Sequence, residues 1–228
     1  MAIYATLGGR PDPDAHRKGA QFLLGAGDFL VHWLMWLLSP AERLFLRLGL
    51  RPDVFNFAGL AAGLLSGLLI AGGHLAAGGV AIAAGGICDV LDGRLARALD
   101  RDSAYGKFID STLDRFVEVF AMLGFIVYLR GWSAGPFLVA AALGGSLLVS
   151  YTRARGESLG VTCKEGLMQR GERVVLTCAA CLLDGPVTGL LALPPGTTIA
   201  WVMGLIAFGT FLTAVHRTYW ISKRLRTR

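Results

Sequence analysis

Long apolar runs are the feature that most constrains this chain. A helix that crosses a bilayer core about 30 Å thick needs about 17–25 apolar residues. Five such runs lie at 54–73, 75–91, 116–130, 135–152 and 198–216, and a sixth lies at 174–193. The composition agrees, because 17% charged residues is well below the roughly 25% of soluble domains. The sequence therefore predicts an all-α, polytopic integral membrane protein with six transmembrane helices.

Two stretches depart from this simple pattern: the run at 116–130 and the segment before the first run. The run at 116–130 reaches spanning length only if its helix starts near Lys107. The segment 22–38 contains charged and polar side chains, and a spanning orientation would place basic clusters on both sides of the membrane. We therefore predict an N-terminal interfacial amphipathic helix there, with Trp33 and Trp36 at headgroup depth.

Basic residues predict the orientation. Of the 22 Lys and Arg residues, only Arg130 lies in the loops 72–76, 130–136 and 185–198. The positive-inside rule then requires an even number of spans with both termini cytoplasmic, in the inner or plasma membrane. The net charge of +6 lies on that face and suits anionic lipids and phosphate ligands, so we do not expect nucleic acid as a partner.

These patterns divide the chain into three regions. We expect a cytoplasmic N-terminus with the interfacial helix at 1–50, a six-helix membrane domain at 51–220 and a basic tail at 221–228. Gly59, Gly63 and Gly67 repeat every four residues, which permits close helix approach within the bundle or across a dimer. We expect a homodimer.

Four aspartates interrupt the apolar pattern, in the stretch "GGICDVLDGRLARALDRDSAYGKFIDSTLDRFVE" at 85–118. Asp89 and Asp92 are three residues apart, and Asp110 and Asp114 are four apart, so each pair shares a helix face. A short link predicts that the two helices are antiparallel neighbours, with the pairs facing each other across a cytoplasmic cleft. Facing carboxylates need cations, and a cluster of oxygen donors selects Mg²⁺, Mn²⁺ or Ca²⁺. Two ions are expected.

The residues between the aspartates favour a diphosphate site over a bare ion site. Gly93 allows close backbone approach, Ala96 keeps the surface shallow, and Arg97 is a fixed cation suited to phosphate. Gly106 is expected to open the chain before the next helix.

Together these residues form a recognisable motif. It runs Asp89-x2-Asp92-Gly93-x2-Ala96-Arg97-x8-Gly106-x3-Asp110-x3-Asp114. This motif resembles the complete signature of the CDP-alcohol phosphotransferase family, whose six-span layout with an N-terminal interfacial helix also agrees. The stretch "RPDVFNF" at 51–57 departs from the family pattern, which often has Pro-Asn and a following Thr where this chain has Asp53 and Asn56.

The resemblance implies a transferase of phospholipid biosynthesis. A CDP-linked lipid, usually CDP-diacylglycerol, would transfer its phosphatidyl group to an alcohol and release CMP, with Mg²⁺ or Mn²⁺ as cofactor. Asp89, Asp92 and Asp110 would be metal ligands, and Asp114 would be both the general base and a ligand. The CDP-lipid would bind the motif residues Asp89, Asp92, Gly93, Ala96, Arg97 and Gly106.

The acceptor is predicted from a basic segment at 150–176. Arginine binds phosphate in a bidentate manner, and this segment resembles that of the family's phosphatidylinositol-phosphate synthases. Inositol 1-phosphate is therefore the expected acceptor, glycerol 3-phosphate the alternative, and serine fits less well because it needs less positive charge. The predicted acceptor-phosphate residues are Arg153, Arg155, Lys164, Arg170 and Arg173.

A cation transporter is the alternative from another class, because acidic residues in membranes often line ion paths. A transporter predicts acidic residues near mid-span on several helices. Here they cluster at one interface, which favours the enzyme.

Overall fold

The computed structural model describes residues 27–99, 103–163 and 165–227, with side chains from residue 33 onward. Within these residues there are seven α-helices and no strand, which confirms the all-α prediction. The helices are α1 (Gly27–Arg47), α2 (Pro52–Ala71), α3 (Leu75–Ala98), α4 (Ala104–Tyr128), α5 (Gly135–Ser158), α6 (Arg170–Leu191) and α7 (Thr197–Arg226).

Five of these helices, α2, α3, α5, α6 and α7, are long and apolar enough to cross a membrane. Helix α4 has 25 residues, about 37 Å at 1.5 Å per residue. Its apolar pattern is interrupted as far as residue 118, by Lys107, Asp110, Asp114, Arg115 and Glu118. The polytopic architecture is thus established by five helices of spanning length. Six spans remain a prediction that depends on α4.

Helix packing corrects one expectation about the acidic helices. We predicted that α3 and α4 would be direct antiparallel neighbours, yet they contact each other at few residues, whereas α2 packs extensively against both. The glycine repeat on α2 explains this arrangement: a Cβ on Gly63 would clash with Val117, and one on Gly67 would clash with the Phe120 carbonyl. These glycines therefore serve the contact between α2 and α4 inside the bundle.

The second half of the chain completes the bundle around a shared core. Helix α5 packs along α7, while α6 contacts both α3 and α7. Fully buried side chains from four elements meet in the core, including Ile70, Phe125, Val139, Met203 and Ile206. The core connects the two halves, so α6 is held against the metal-motif helix α3.

Helix α1 differs from the predicted interfacial helix in its bounds. The prediction covered 22–38, of which 22–26 lie outside the described residues, whereas the helix extends to Arg47 and contains Pro40. Met35 and Leu38 are buried, and Leu38 shares a cluster with Phe55 on α2. The helix extends because its inward apolar positions continue beyond residue 38 at helical spacing.

The corner between α6 and α7 is built around Asp184. Its two carboxylate oxygens accept hydrogen bonds from the backbone N–H groups of Gly196 (2.9 Å) and Thr198 (3.1 Å). Gly196 has φ of 90°, a left-handed conformation in which glycine is favoured. Asp184 therefore satisfies backbone donors at the start of α7 that would otherwise be unpaired.

Candidate active site

Two helices bring three aspartates together. Asp89 and Asp92 lie near the end of α3, and Asp110 lies in the second turn of α4. One carboxylate oxygen from each of the three lies within 4.8 Å of the others, a spacing at which they could hold a metal ion. Asp92 is only 5% exposed. Helical spacing explains the arrangement, because residues three apart on α3 project from the same face.

Asp114 joins this group through an arginine from a third helix. Arg170, the first residue of α6, places Nη1 3.0 Å from Asp89 Oδ1 and Nη2 2.5 Å from Asp114 Oδ1. Arg115 lies 3.5 Å from the other oxygen of Asp114. We predicted Arg170 for the acceptor phosphate; the structure places its guanidinium directly between two of the four motif aspartates.

A cavity opens beside these groups. Its polar lining consists of Asn56, Asp89, Asp92, Asp114 and Arg170, and its apolar lining comes from α2, α3 and α4. Asn56 belongs to the stretch in which this chain departs from the family pattern. The sequence reasoning assigned it no role, although its position three residues before Gly59 places it on the inward face of α2.

The remaining motif residues surround the aspartates in different ways. A Cβ on Gly93 would meet only Arg97 Nη1, at 3.5 Å, so the backbone surface there is open. Ala96 is half-buried and Arg97 is exposed. The expectation for Gly106 was wrong: it lies inside the first turn of α4, and its N–H donates to Ser103 Oγ at 3.0 Å. Ser103 begins the helix because its hydroxyl caps the first turn.

The predicted acceptor residues separate into three environments. Arg153 is exposed and pairs with Glu157 at 2.9 Å, and Arg155 is exposed. Arg173 is buried and makes two hydrogen bonds to Glu118, at 2.8 and 3.2 Å. Arg170 lies at the aspartates, as described above, and Lys164 lies outside the described residues.

Another buried arginine, Arg217, was counted from sequence only among the basic residues of the cytoplasmic face. It lies within α7, is 3% exposed, and donates to the carbonyl oxygens of Glu165 (2.8 Å) and Val149 (3.0 Å). These bonds attach the loop between α5 and α6 to both α5 and α7. An arginine one turn before the basic tail gave no sequence signal that would distinguish it from a charge flanking the membrane.

The carboxylate group fits a hard divalent cation. All the donors are oxygens, as Mg²⁺ and Mn²⁺ prefer. Arg170 contacts Asp89 and Asp114, and Arg115 contacts the other oxygen of Asp114. Facing carboxylates of this kind repel each other unless a cation is added. The residues present are therefore suited to hold a divalent metal.

Comparison with known proteins gives a consistent result. The chain is 35% identical over 180 residues to an archaetidylinositol phosphate synthase of Methanothermobacter thermautotrophicus, covering 79% of this chain and 87% of that protein. It is 33% identical over 191 residues to a phosphatidylinositol phosphate synthase of Streptomyces avermitilis, covering 79% and 76%.

Solved structures agree with the sequence relatives. The phosphatidylinositol phosphate synthase of Mycobacterium tuberculosis with CDP-DAG bound superposes with a TM-score of 0.69 at 26% identity, covering 80% of this chain and 92% of that one. The same enzyme in complex with manganese and citrate gives a TM-score of 0.70, also at 26% identity, covering 80% and 88%.

Residues 50–215 match the model of the CDP-alcohol phosphatidyltransferase family, and this range contains every motif aspartate. With the carboxylate cluster, the helical bundle and these relatives in agreement, the chain belongs to the CDP-alcohol phosphatidyltransferase family.

Proposed function

We propose that this protein transfers the phosphatidyl group of CDP-diacylglycerol to inositol 1-phosphate and releases CMP, in a reaction that requires a divalent metal. The observation that carries the proposal is the meeting of Asp89, Asp92 and Asp110 within 4.8 Å, next to a cavity lined by Asp114 and Arg170. This arrangement provides a cation site, a carboxylate base and a fixed positive charge beside one another.

The aspartates have distinct roles in this proposal. Asp89, Asp92 and Asp110 hold divalent metal, Mg²⁺ or Mn²⁺, and two ions are proposed, with Asp114 as a ligand of the second. Bound metal would neutralise the diphosphate and stabilise the departing CMP. Asp114 accepts the proton of the acceptor hydroxyl. The hydroxyl oxygen then forms the new P–O bond, and the P–O bond to CMP breaks. Arg170 orients Asp114, since it holds one of its oxygens at 2.5 Å.

The donor assignment is supported by the open surface around the motif. Gly93 leaves room for backbone approach, and Ala96 and the exposed Arg97 follow one turn later on α3. Gly106 lies at the facing start of α4. These residues are proposed to bind the CDP group, in agreement with the CDP-DAG bound to the related enzyme of known structure.

The acceptor assignment is supported by the names of the relatives, which are inositol phosphate synthases, and by the basic segment that precedes and begins α6. We propose that Arg153, Arg155, Lys164, Arg170 and Arg173 bind the acceptor phosphate. The surroundings of these side chains differ, and so do their expected contributions. Arg155 is exposed, whereas Arg173 is paired with Glu118, so the loss of Arg173 also leaves a half-buried carboxylate uncompensated.

The decisive experiment supplies purified protein with CDP-diacylglycerol, Mg²⁺ or Mn²⁺, and one acceptor at a time: inositol 1-phosphate, inositol, glycerol 3-phosphate or serine. CMP release and identification of the lipid product are measured. Metal-dependent formation of phosphatidylinositol phosphate is expected. Preference for glycerol 3-phosphate would replace the acceptor but keep the enzyme class, while ion flux in liposomes without CMP release would indicate a transporter instead.

Single arginine variants test the acceptor site. Arg155→Ala is expected to raise KM for inositol 1-phosphate roughly tenfold to a hundredfold, because a charge-assisted contact contributes about 1.5–3 kcal/mol. The KM for CDP-diacylglycerol should change little. Arg130→Ala is the control, since this exposed arginine lies in the loop between α4 and α5. An unchanged acceptor KM in both Arg153→Ala and Arg155→Ala would remove these two arginines from the acceptor site and leave them as topology signals.

We also propose the membrane arrangement: six spans including α4, with residues 51–220 as one membrane domain and the tail 221–228 in the cytoplasm. Helix α1, within the N-terminal region 1–50, would lie at the interface. Both termini and the active site would face the cytoplasm across the plasma membrane, and the protein would form a homodimer. The excess of basic residues beside the aspartates supports this orientation.

Thiol labelling in cells tests the orientation. Cysteines at the exposed positions Gly72 and Pro195 are expected to react with an impermeant reagent from outside, and one at the exposed Ser103 only after permeabilisation. The parent protein, with its own cysteines, gives the background. External labelling at Ser103 would reverse the orientation.

A further inference from the structure

An ion pair joins α1 to the motif helix α3 close to the aspartates. Arg94 Nε and Nη2 both lie 2.5 Å from Glu42 Oε2, and Nη1 donates to the Met35 carbonyl oxygen at 3.4 Å. The side chains are 12% and 16% exposed. A contact across 52 residues of sequence therefore holds α1 at the end of α3 that carries the metal motif.

Arg94 lies on the side of α3 opposite the aspartates of the metal motif. Residues two apart on a helix are separated by about 200°, so Arg94 projects away from the face that carries Asp92. Leu91, three residues before Arg94 and therefore on the same side of α3, packs in a cluster with Leu38 of α1. The last turns of α3 are thus held between α1 on one face and the cation site on the other.

The outward side of α1 indicates which surroundings this helix contacts. Leu37 and Leu44 are exposed and fall within about 20° of each other around the helix, and the exposed Leu48 follows its last residue directly. Arg43 and Arg47 are also exposed and lie along one edge of this apolar stripe. An apolar stripe with a basic edge is suited to the boundary between acyl chains and anionic headgroups.

We propose that α1 braces the metal-bearing end of α3 from the membrane surface, with Glu42 and Arg94 as positioning residues for Asp89 and Asp92. This inference rests on the proposed function, because it assigns the brace to the same cation site. The pair does not touch the substrate. It keeps the last turns of α3 in the register at which the Asp89 and Asp92 oxygens meet that of Asp110.

Cation affinity separates bracing from a purely electrostatic effect. Removing the positive charge of Arg94 near the carboxylates would by itself strengthen cation binding. Loss of the brace would weaken cation binding, because the oxygens of Asp89 and Asp92 would no longer be held close to that of Asp110. Arg94→Gln is therefore expected to weaken Mn²⁺ binding about tenfold, the effect typical of residues that orient metal ligands.

The test measures Mn²⁺ dissociation constants by electron paramagnetic resonance, with purified full-length protein in vesicles that contain anionic lipid. Arg94→Gln and Glu42→Gln should both weaken binding, and the exchanged pair Glu42→Arg with Arg94→Glu should restore most of it. Arg43→Gln is the matched control, because this neighbouring arginine lies on the outward face and donates to Ser39 within α1. Arg94→Met, which also removes the charge but keeps a long unbranched side chain, replaces Arg94→Gln in the measurement if the latter fails to fold, with the same expected result.

Unchanged or tighter Mn²⁺ binding in Arg94→Gln would overturn the brace, as would weakened binding that the exchanged pair does not restore. Failure of the proposed function is distinguishable: a wild-type protein that binds Mn²⁺ but releases no CMP would refute the transferase and leave the affinity comparison intact.

Discussion

Carboxylates near the two ends of α6 have different kinds of partners. Near one end, Asp184 is 2% exposed and each of its oxygens accepts a backbone N–H from the start of α7. At the other end, about 21 Å away along the helix at 1.5 Å per residue, Arg170 contacts Asp89 and Asp114. There Asp89, Asp92 and Asp110 face one another within 4.8 Å.

The comparison shows that burial alone does not distinguish a structural acid from a functional one. Asp184 and Asp92 are almost equally buried, at 2% and 5% exposure. The partners differ: rigid backbone donors satisfy Asp184, whereas Asp92 faces other carboxylates. A carboxylate with its donors supplied by the fold stabilises that fold, while facing carboxylates remain available for a cation.

The largest expected effect is loss of catalysis at the clustered end. Asp89→Asn or Asp110→Asn should lower kcat/KM by at least roughly a hundredfold, because even residues that only orient metal ligands contribute tenfold to a hundredfold. CMP release at saturating Mg²⁺ measures this effect. Asp53→Asn is the control, since Asp53 is an exposed residue in the first turn of α2. Near-wild-type activity in either cluster variant would remove the metal assignment.

The next effect is loss of stability at the other end. Asp184→Asn should lower the free energy of unfolding by about 1–3 kcal/mol, because the amide NH₂ cannot accept the N–H of Gly196 or Thr198 and leaves it unpaired. Activity per folded molecule should be kept. Unfolding in detergent, measured beside CMP release, tests both statements. If Asp184→Asn lost activity without losing stability, the two ends would not differ as described.

The smallest effect concerns the cluster without metal. In chelator, Asp92→Asn should stabilise the protein by up to about 1 kcal/mol, because it removes one of several repelling charges. Added Mn²⁺ should reverse the order, since binding to the native state stabilises the wild type more. Thermal unfolding of both proteins, with chelator and with Mn²⁺, measures whether the order of their melting temperatures reverses. A lower melting temperature for Asp92→Asn in chelator would mean that Asp92 is structural, like Asp184.

The sequence predicted the motif residues more completely than their surroundings. Spacing on helices was sufficient to place Asp89 and Asp92 on one face, because that relation is local. The packing of α2 between α3 and α4 was not predicted, although the glycines that permit it were identified. Their repeat indicates a close approach without naming the partner, and Gly63 and Gly67 could equally have served a dimer.

The basic residues show the same limit more clearly. Arg153, Arg170 and Arg173 were grouped because they lie in one segment of sequence. In the structure the first pairs with Glu157, the second lies between Asp89 and Asp114, and the third pairs with Glu118. A pairing between distant helices depends on how those helices pack, which charge and spacing along the chain do not specify.

What the sequence by itself determined is the membrane class, the helical architecture, the acidic motif and the family. Each follows from apolar run length or from residue types at fixed local spacing. Only the tertiary structure decided which carboxylates face one another, which arginine reaches them, and that Asp184 caps α7 instead of joining a site. The physical reason is that an ionised side chain in an apolar helix takes its role from its nearest donors and charges, and here those come from other helices.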